Sequence, residues 1–326
     1  MKIILQISVL LLFFICLLLS LITCRNKPEQ INVSTTEVRN VTQSGAVAGG
    51  QVNAARPGSV VSRGICWSTG PNPSIRDKSE KSGSGTGNYF ISIIGLRPET
   101  EYFTRAFAIT VSDTLYGEII KFVTTDFGIV SDIDDNVYRT ITIGTQTWMV
   151  KNLATKRYKD GTAVRTVTDS AEWASLNTPA FCWYNNDEET YKSSYGALYN
   201  GYTVNSGKIC PEGWHVPTNA DWDILAANLG GENIAGGRMK EAGTSRWVRP
   251  NNGANNSSNF TALPGGLRYH DGNFRDLGFG GYWWSSTQYS DSRAYFRFIF
   301  HEDSTIYKFN NLIRNGFSIR CLKDKQ

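Results

Sequence analysis

The sequence predicts a mainly β protein: a β-sandwich followed by an α+β, loop-rich domain, behind an N-terminal signal segment. The chain has 326 residues, which is too long for one ordinary domain and suits two domains with a targeting segment. Hydrophobic residues make up 40% of it and aromatic residues 12%, enough to build packed cores rather than a disordered chain. Glycine and aromatic residues are frequent and long helical periodicity is scarce, which indicates many short strands and turns.

The charge balance gives no indication of a nucleic-acid partner. The 33 lysines and arginines against 29 acidic residues leave a formal net charge of +4. No basic tract is concentrated in one segment, as a nucleic-acid-binding surface would require.

The first 24 residues, MKIILQISVLLLFFICLLLSLITC, predict export from the cytoplasm. Lys2 precedes an apolar run to Ile22 that suits a signal-peptide core and is also long enough for an uncleaved membrane helix. LITC resembles a bacterial lipobox, although Thr23 replaces the usual Gly, Ala or Ser. The resemblance implies a signal peptide at residues 1–23, a diacylglyceryl group on Cys24, and a lipid-anchored protein at the cell outer membrane or cell surface.

Six cysteines are present. One leaves with the signal peptide and Cys24 carries the lipid, so the four that remain are Cys66, Cys182, Cys210 and Cys321. They lie in an oxidising space, and four thiols allow three pairings among which spacing does not choose. No CxxC or HxxxH spacing occurs, so neither a zinc site nor a thioredoxin-like motif is indicated.

After a polar tether at residues 24–33, residues 34–125 are predicted to form the β-sandwich. Short strand-like runs alternate there with clusters of Gly, Pro, Ser and Asn. LRPETEY, Leu96 to Tyr102, resembles the tyrosine corner of fibronectin type III domains, and with GICWS and FVTT the whole segment resembles bacterial modules of that kind. The resemblance makes Trp67 and Tyr102 structural. Cys66 has no local partner and is expected to be unpaired.

Residues 126–131 form the predicted linker, and residues 132–326 hold eight of the nine tryptophans. Two strand-like runs flank Gly144 and Thr145, which suits a hairpin with a two-residue loop and Gly first. Further along, Thr218 and Asp221 fit the capping box of a helix. Its apolar stripe and its stop at a glycine involve Trp222, Leu225, Ala226, Leu229 and Gly230.

The motifs of this second segment strongly resemble, in their order, the Fibrobacter succinogenes major paralogous domain. They are FCWYNNDEETY, YGALYNGYTV, CPEGWHVPTNADW, FTALPGGLRYHDGNF, GGYWWSSTQYS and FSIRCLK. The resemblance implies a C-type lectin-like fold and a place in the cell envelope of Bacteroidetes or Fibrobacter. In C-type lectin-like domains a cysteine near the first helix bridges to one in the last strand. Cys210 and Cys321 match those positions, which leaves Cys182 free beside Trp183.

The acidic stretch DIDDN is a weak candidate for calcium. It brings the carboxylates of Asp132, Asp134 and Asp135 together, and calcium prefers oxygen ligands. It lacks the glycine and the distant glutamate of an EF-hand loop, so it is interpreted as a turn, and no other cofactor is predicted.

Two possible templates for chemistry do not carry over. The Glu-Pro-Asn, Gln-Pro-Asp and Trp-Asn-Asp tripeptides of sugar-binding C-type lectins do not occur in the sequence. Formylglycine-generating enzymes need a redox-active cysteine pair, and the implied disulfide would consume Cys210 and Cys321. His215 has no cysteine or carboxylate at triad-like or ligand spacing on a predicted common face. The chain is therefore expected not to be an enzyme.

The aromatic and amide-rich loops predict a binding role instead. Trp284, Arg268 and Tyr269 combine rings with hydrogen-bonding groups, and the Asn-rich loop adds Asn251 and Asn252. The competing interpretation is that at least one of the adjacent Trp283 and Trp284 belongs to the core. The sequence favours a lipid-anchored cell-envelope binding or adhesion protein with a lectin-like head for glycan or protein ligands. The alternatives are a fimbria-associated structural component and a glycan-processing enzyme.

Overall fold

A computed structural model describes residues 30–325. The signal peptide and Cys24 lie outside this range. By its contacts the chain divides into two compact units. The first comprises the described residues through Glu37, Ala48–Ile91 and Phe103–Ile120, and the second comprises Val38–Val47, Ser92–Tyr102 and the chain from Lys121 onward. None of the helices between residues 30 and 325 is both long and apolar enough to cross a membrane.

Eight strands build the N-terminal β-sandwich. They are β1 Ile31–Arg39, β2 Gly45–Ala54, β3 Ser62–Ser68, β4 Lys78–Lys81, β5 Gly87–Ile94, β6 Glu101–Ile109, β7 Thr114–Tyr116 and β8 Ile120–Val123. One sheet has the order β1-β2-β5, and the other has the order β4-β3-β6-β7 with β8 also paired to β6. A hydrogen bond joins the two sheets: the buried Tyr89 hydroxyl of β5 donates to Gly64 O of β3 at 2.8 Å.

The predicted tyrosine corner is present. The hydroxyl oxygen of Tyr102 accepts a hydrogen bond from the backbone N–H of Arg97 at 3.0 Å, and both Tyr102 and Trp67 are buried. Cys66 is buried and free, as expected, and its thiol donates weakly to Arg105 O. These residues therefore have structural roles.

The C-terminal part contains thirteen short strands and five short helices. The strands are β9 Gly128–Ser131, β10 Val137–Ile143, β11 Gln146–Met149, β12 Phe181–Cys182, β13 Leu198–Asn200, β14 Trp214–His215, β15 Gly265–Arg268, β16 Phe274–Leu277, β17 Gly280–Ser290, β18 Arg293–Phe300, β19 Ile306–Leu312, β20 Gly316–Phe317 and β21 Leu322–Lys323. The helices are α1 Ser170–Ser175, α2 Glu188–Tyr195, α3 Gly201–Asn205, α4 Asn219–Asn228 and α5 Glu232–Met239.

These strands form two sheets. The smaller has the order β14-β21-β11-β10-β9, and the larger has the order β12-β13-β20-β15-β17-β18-β19 with β16 on β15. The β15–β17 contact is parallel and the neighbouring pairs are otherwise antiparallel. Strand β19 is thus an edge strand, with β18 on one side and no described strand on the other.

The predicted hairpin and helix are confirmed. Ile143 pairs with Gln146 across the two-residue loop, and Gly144 has the positive φ of +61° that favours glycine there. Helix α4 begins after Thr218 with a complete capping box to Asp221, and its predicted apolar stripe is buried.

Two segments differ from expectation. Gly128–Ser131 fall in the predicted linker but form β9, because they satisfy the backbone groups at the edge of β10 in a four-residue antiparallel ladder. Apolar and polar residues alternate in FSIRC as they would along one strand, but only its first residue lies in β20, and β21 begins after Cys321. Ser318 and Arg320 are buried as well, so this segment has protein on both sides.

The implied disulfide is confirmed. Cys210 and Cys321 are bonded, with Cα atoms 6.0 Å apart and a sequence separation of 111 residues. Both lie in an aromatic core that also contains Trp284, Phe296 and Phe317. A second core contains Trp148, Trp222 and Trp283. Closing a loop of this length stabilises a fold by roughly 4–5 kcal/mol in the chain-entropy model.

Candidate functional site

Trp284 is a core residue, and its expected surface role is wrong. Its side chain is fully buried, its indole Nε1 donates to Tyr199 O at 2.7 Å, and its ring lies 4.5 Å from that of Phe317. Trp283 is equally buried in the other core, with Nε1 donating to Asn152 Oδ1. Both tryptophans are inside because β17 has a hydrophobic core on each of its faces.

Arg268 is also structural rather than ligand-facing. It is fully buried and donates to four backbone carbonyls, those of Gly272, Val167, Thr168 and Asp169. Its guanidinium also lies over the ring of Trp173. The group is held because its donors are satisfied by the backbone, as a buried charge requires.

Tyr269 and the Asn-rich loop offer little for recognition. Tyr269 is partly buried, with the guanidinium of Arg275 4.2 Å from its ring centroid. Asn251 is buried and its amide donates to Glu241 O and Gly243 O. Asn252 is exposed, but its amide donates to Glu302 O at 2.7 Å. These amides hold the loop in shape, so the expected recognition face does not assemble.

The acidic stretch forms a turn, as interpreted. Asp132 accepts from the backbone N–H groups of Asp134 and Asn136, Asp134 pairs with Arg157 at 2.6 Å, and Asp135 is exposed at positive φ. Within residues 30–325 no group of three or more His, Cys, Asp or Glu is placed to hold a metal ion. Calcium at this turn stays an untested prediction.

His215 does have carboxylate neighbours, contrary to expectation. Its Nδ1 lies 2.6 Å from Asp324 Oδ1 and its Nε2 lies 3.4 Å from Asp221 Oδ2. Sequence spacing hid the first neighbour, which is 109 positions away. Both ring nitrogens face carboxylates, so His215 links β14 to helix α4 and to the C-terminal residues.

A cleft of about 380 Å³ lies beside helix α2, lined in part by Tyr138, Lys151 and Lys192. Glu188, also in its lining, is held between Lys156 at 2.7 Å and Lys192 at 3.3 Å. Glu188 and Lys192 are therefore paired with each other, and the lining also contains Lys151 and Glu189.

The most distinctive exposed feature is a set of aromatic rings on one face of strands β17–β19. Cross-strand pairing aligns Tyr282 with Phe298 and Phe298 with Tyr307. Their rings are stacked, with centroids 5.7 Å and 4.7 Å apart and interplanar angles of 18° and 14°. Rings repeat here at strand spacing because opposite residues in an antiparallel sheet project from the same face.

A second row runs beside the first, from Trp284 through Phe296 to Phe309. Burial falls along this row: the first two rings are buried, whereas Phe309 on the edge strand is 60% exposed. Tyr307, the last ring of the first row, is 37% exposed. We call Tyr282, Phe298, Tyr307 and Phe309 the aromatic face. The aromatic face is continuous with the buried core, so core side chains pack against its rings.

The two tyrosines of the aromatic face carry polar groups at their tips. Tyr282 donates its hydroxyl proton to Asp276 Oδ2 at 2.7 Å, and Tyr307 donates to Asp303 Oδ2 at 2.7 Å. Burial and then the Asp276 carboxylate raise the pKa of Tyr282. The hydrogen bond to Asp303 is the main reason that the pKa of Tyr307 is raised. Both phenols therefore stay protonated.

The sequence prediction did not include the aromatic face, because it took its candidate binding residues from predicted loops. The signal lay in strands: RAYFRFIF and IYKFNNL place Phe296 and Phe298, then Tyr307 and Phe309, two residues apart. A period of two puts each pair on one side of a strand.

Comparison with known proteins identifies one domain. Residues 141–323, more than half of the chain, match the family model described as the Fibrobacter succinogenes major domain. A search of curated proteins gives no match.

The similarities to the following three solved structures are distant. One is the sensor domain of the anti-sigma factor RsgI4 in Pseudobacteroides cellulosolvens, with 13% identity, TM-score 0.24, and 29% of this chain and 95% of that chain covered. Another is a human fibronectin type III domain from the KIAA0970 protein, with 14% identity, TM-score 0.23, and coverage of 29% and 74%. The twitchin kinase region from C. elegans has 11% identity, TM-score 0.20, and coverage of 59% and 34%. The match to the family model alone bears on the identity of the chain.

Proposed function

The chain belongs to the Fibrobacter succinogenes major domain family, and we propose that it is a cell-envelope binding protein whose ligand rests on the aromatic face. In this proposal Cys24 carries a lipid anchor and the family domain is the adhesive head. A glycan is the ligand class that we favour.

The exposure of Phe309 and Tyr307 carries the proposal. Large aromatic side chains bury most of their surface in water-soluble proteins, and an exposed group of them commonly marks a binding surface. These rings are stacked on Phe298 or packed on Phe296, so they are ordered before a ligand arrives. Little side-chain entropy is then lost on binding.

A glycan suits the chemistry of this surface. The C–H faces of a pyranose ring are apolar and pack on aromatic rings, while its hydroxyl groups need hydrogen-bond partners at the periphery. The paired oxygens of Tyr307 and Asp303 offer such partners beside the exposed rings. Because β19 is an edge strand, a long polymer can pass across Tyr307 and Phe309 without meeting a further described strand.

A glycan array probed with the full chain tests the proposal. We expect retention on at least one polysaccharide, and loss of that retention by tenfold or more in Phe309→Ala and Tyr307→Ala. Tyr289→Ala is the matched control, since Tyr289 is 57% exposed at the other end of β17. Equal retention by all four proteins would remove the aromatic face from the binding site.

The free edge of β19 favours a second candidate, a structural component that assembles with another protein. The strand pairs with β18 over seven consecutive residues without a bulge and contains no proline. Such an edge can accept a further strand. Asn310→Pro would obstruct the addition of a further strand to β19. Two results together would favour assembly over adhesion: the wild type retains no glycan, and the variant loses self-association or capture of a partner protein.

A further inference from the structure

The aromatic face has a carboxylate at each end of its stacked row. Asp276 lies beyond Tyr282 and Asp303 lies beyond Tyr307, each accepting the phenolic proton at 2.7 Å. Because each tyrosine gives its only proton to a carboxylate, its oxygen can only accept from a ligand. The carboxylate oxygens also only accept. The periphery of the face therefore requires a ligand that donates hydrogen bonds.

The basic side chains that alternate with the rings of the aromatic face on β18 and β19 point away from it. Glu302, next to Asp303, has a side chain that is 70% exposed. Lys308 and Arg297, on the neighbouring strands, alternate to the opposite face, where both pair with Asp223. The side chains of Lys308 and Arg297 therefore do not lie on the aromatic face.

Lys240 is the cation next to Asp303, and it is fully occupied. Its side chain is completely buried, and its ammonium donates to Asn252 O at 2.9 Å, Phe300 O at 3.1 Å and Asp303 O at 2.8 Å. An ammonium has three donors, so none remains for a ligand. The Lys240 ammonium therefore stabilises the turn between β18 and β19 and is not exposed to a ligand.

We infer that the aromatic face selects an uncharged polymer rich in hydroxyl groups, a neutral polysaccharide, and discriminates against carboxylated or sulfated polymers. This inference rests on the proposed glycan-binding function and specifies its substrate class. Two like charges brought within a few ångströms repel, and the repulsion is greatest at low ionic strength.

The experiment compares one polymer in two charge states. A neutral polysaccharide retained by the wild-type chain is partly carboxymethylated, and the full chain is titrated with both forms in low salt and in 0.5 M salt. We expect at least tenfold weaker binding of the carboxymethylated form in low salt. The difference should shrink at high salt and in the isosteric variants Asp303→Asn and Asp276→Asn. Glu212→Gln removes one exposed carboxylate of the loop before β14 and should leave the discrimination unchanged.

The outcomes separate this inference from the function on which it rests. If Phe309→Ala abolishes retention but the wild type binds both polymer forms equally, the binding function stands and the selection for neutral polymers is wrong. The same conclusion follows if Asp303→Asn and Asp276→Asn together leave the discrimination intact. If the wild type retains no polysaccharide of any charge, the proposed function and this inference both fail. Retention of acidic polysaccharides alone would leave the binding function standing and overturn the selection for neutral polymers.

Discussion

The indole of Trp284 and the ring of Phe317 lie 4.5 Å apart, inside the same core as the Cys210–Cys321 disulfide. Trp284→Ala should therefore lower the free energy of unfolding by about 3–5 kcal/mol, because it removes a large buried ring and leaves a cavity. Urea denaturation checks this. Tyr289→Ala, at an exposed position on the same strand, should change stability by less than about 0.5 kcal/mol. A small effect of Trp284→Ala would contradict its place in the core.

The disulfide should dominate the redox sensitivity of the C-terminal domain. Cys210→Ser combined with Cys321→Ser removes a closure of 111 residues and should lower stability by roughly 4–5 kcal/mol on the chain-entropy argument. Non-reducing peptide mapping of the wild type should recover one linked peptide pair containing these two cysteines. A peptide that joins Cys182 to either of them would show the pairing to be wrong.

The buried free thiols of Cys66 and Cys182 should be inert in the folded protein. Burial raises the pKa of Cys182 to about 12 and raises that of Cys66 as well, and the thiolate is the reactive form. Iodoacetamide at pH 8 should label neither cysteine in native protein and both after denaturation, as read by intact mass. Labelling of Cys182 without unfolding would contradict its burial.

Acid should weaken the cap of α4. Burial opposes ionisation of Asp221, but hydrogen bonds from the side chain and backbone of Thr218, with His215, outweigh it and lower its pKa. A carboxyl group whose pKa is lower in the folded state stabilises the fold above its unfolded value of about 4, and that contribution is lost as pH falls through the folded pKa. Asp221→Asn should cost about 1 kcal/mol at pH 7, and the difference from wild type should narrow towards pH 2. A difference independent of pH would contradict this role.

Cys24 is expected to carry the membrane anchor. Cys24→Ala should leave the precursor uncleaved and free of lipid label in cells, because the lipobox-like LITC loses its acceptor thiol. A diacylglyceryl-modified, N-acylated cysteine holds a membrane firmly, whereas one acyl chain does not. Metabolic labelling with a fatty-acid analogue and fractionation would measure this, and unchanged processing would refute it.

Local patterns predicted local structure well in this chain. The hairpin at Gly144 and the cap at Thr218 depend on neighbouring residues alone, and both are present. Family resemblance supplied the Cys210–Cys321 pairing, which spacing had left open.

Position relative to the core was harder to predict. Trp284 and Arg268 have side chains typical of binding sites, but segments distant in sequence cover them. Trp284 donates a hydrogen bond to Tyr199 O and Arg268 donates one to Val167 O. The reverse happened at Phe309: an ordinary strand residue is exposed because β19 ends the sheet. Strand order is set by contacts far apart in sequence, so exposure could not be inferred from alternation alone.

The disulfide also shortens the covalent route along which tension would travel. Phe309 follows Cys210 by ninety-nine positions but precedes Cys321 by only twelve. In a protein held at its N-terminus and pulled through a ligand on β19, force passes from Cys210 across the sulfur bridge to Cys321 and back to the strand. The force does not pass through the long segment between Cys210 and β19. Unfolding of that segment therefore cannot lengthen the chain between the N-terminus and the ligand. The oxidised bond therefore limits how far this part of the chain can extend under tension.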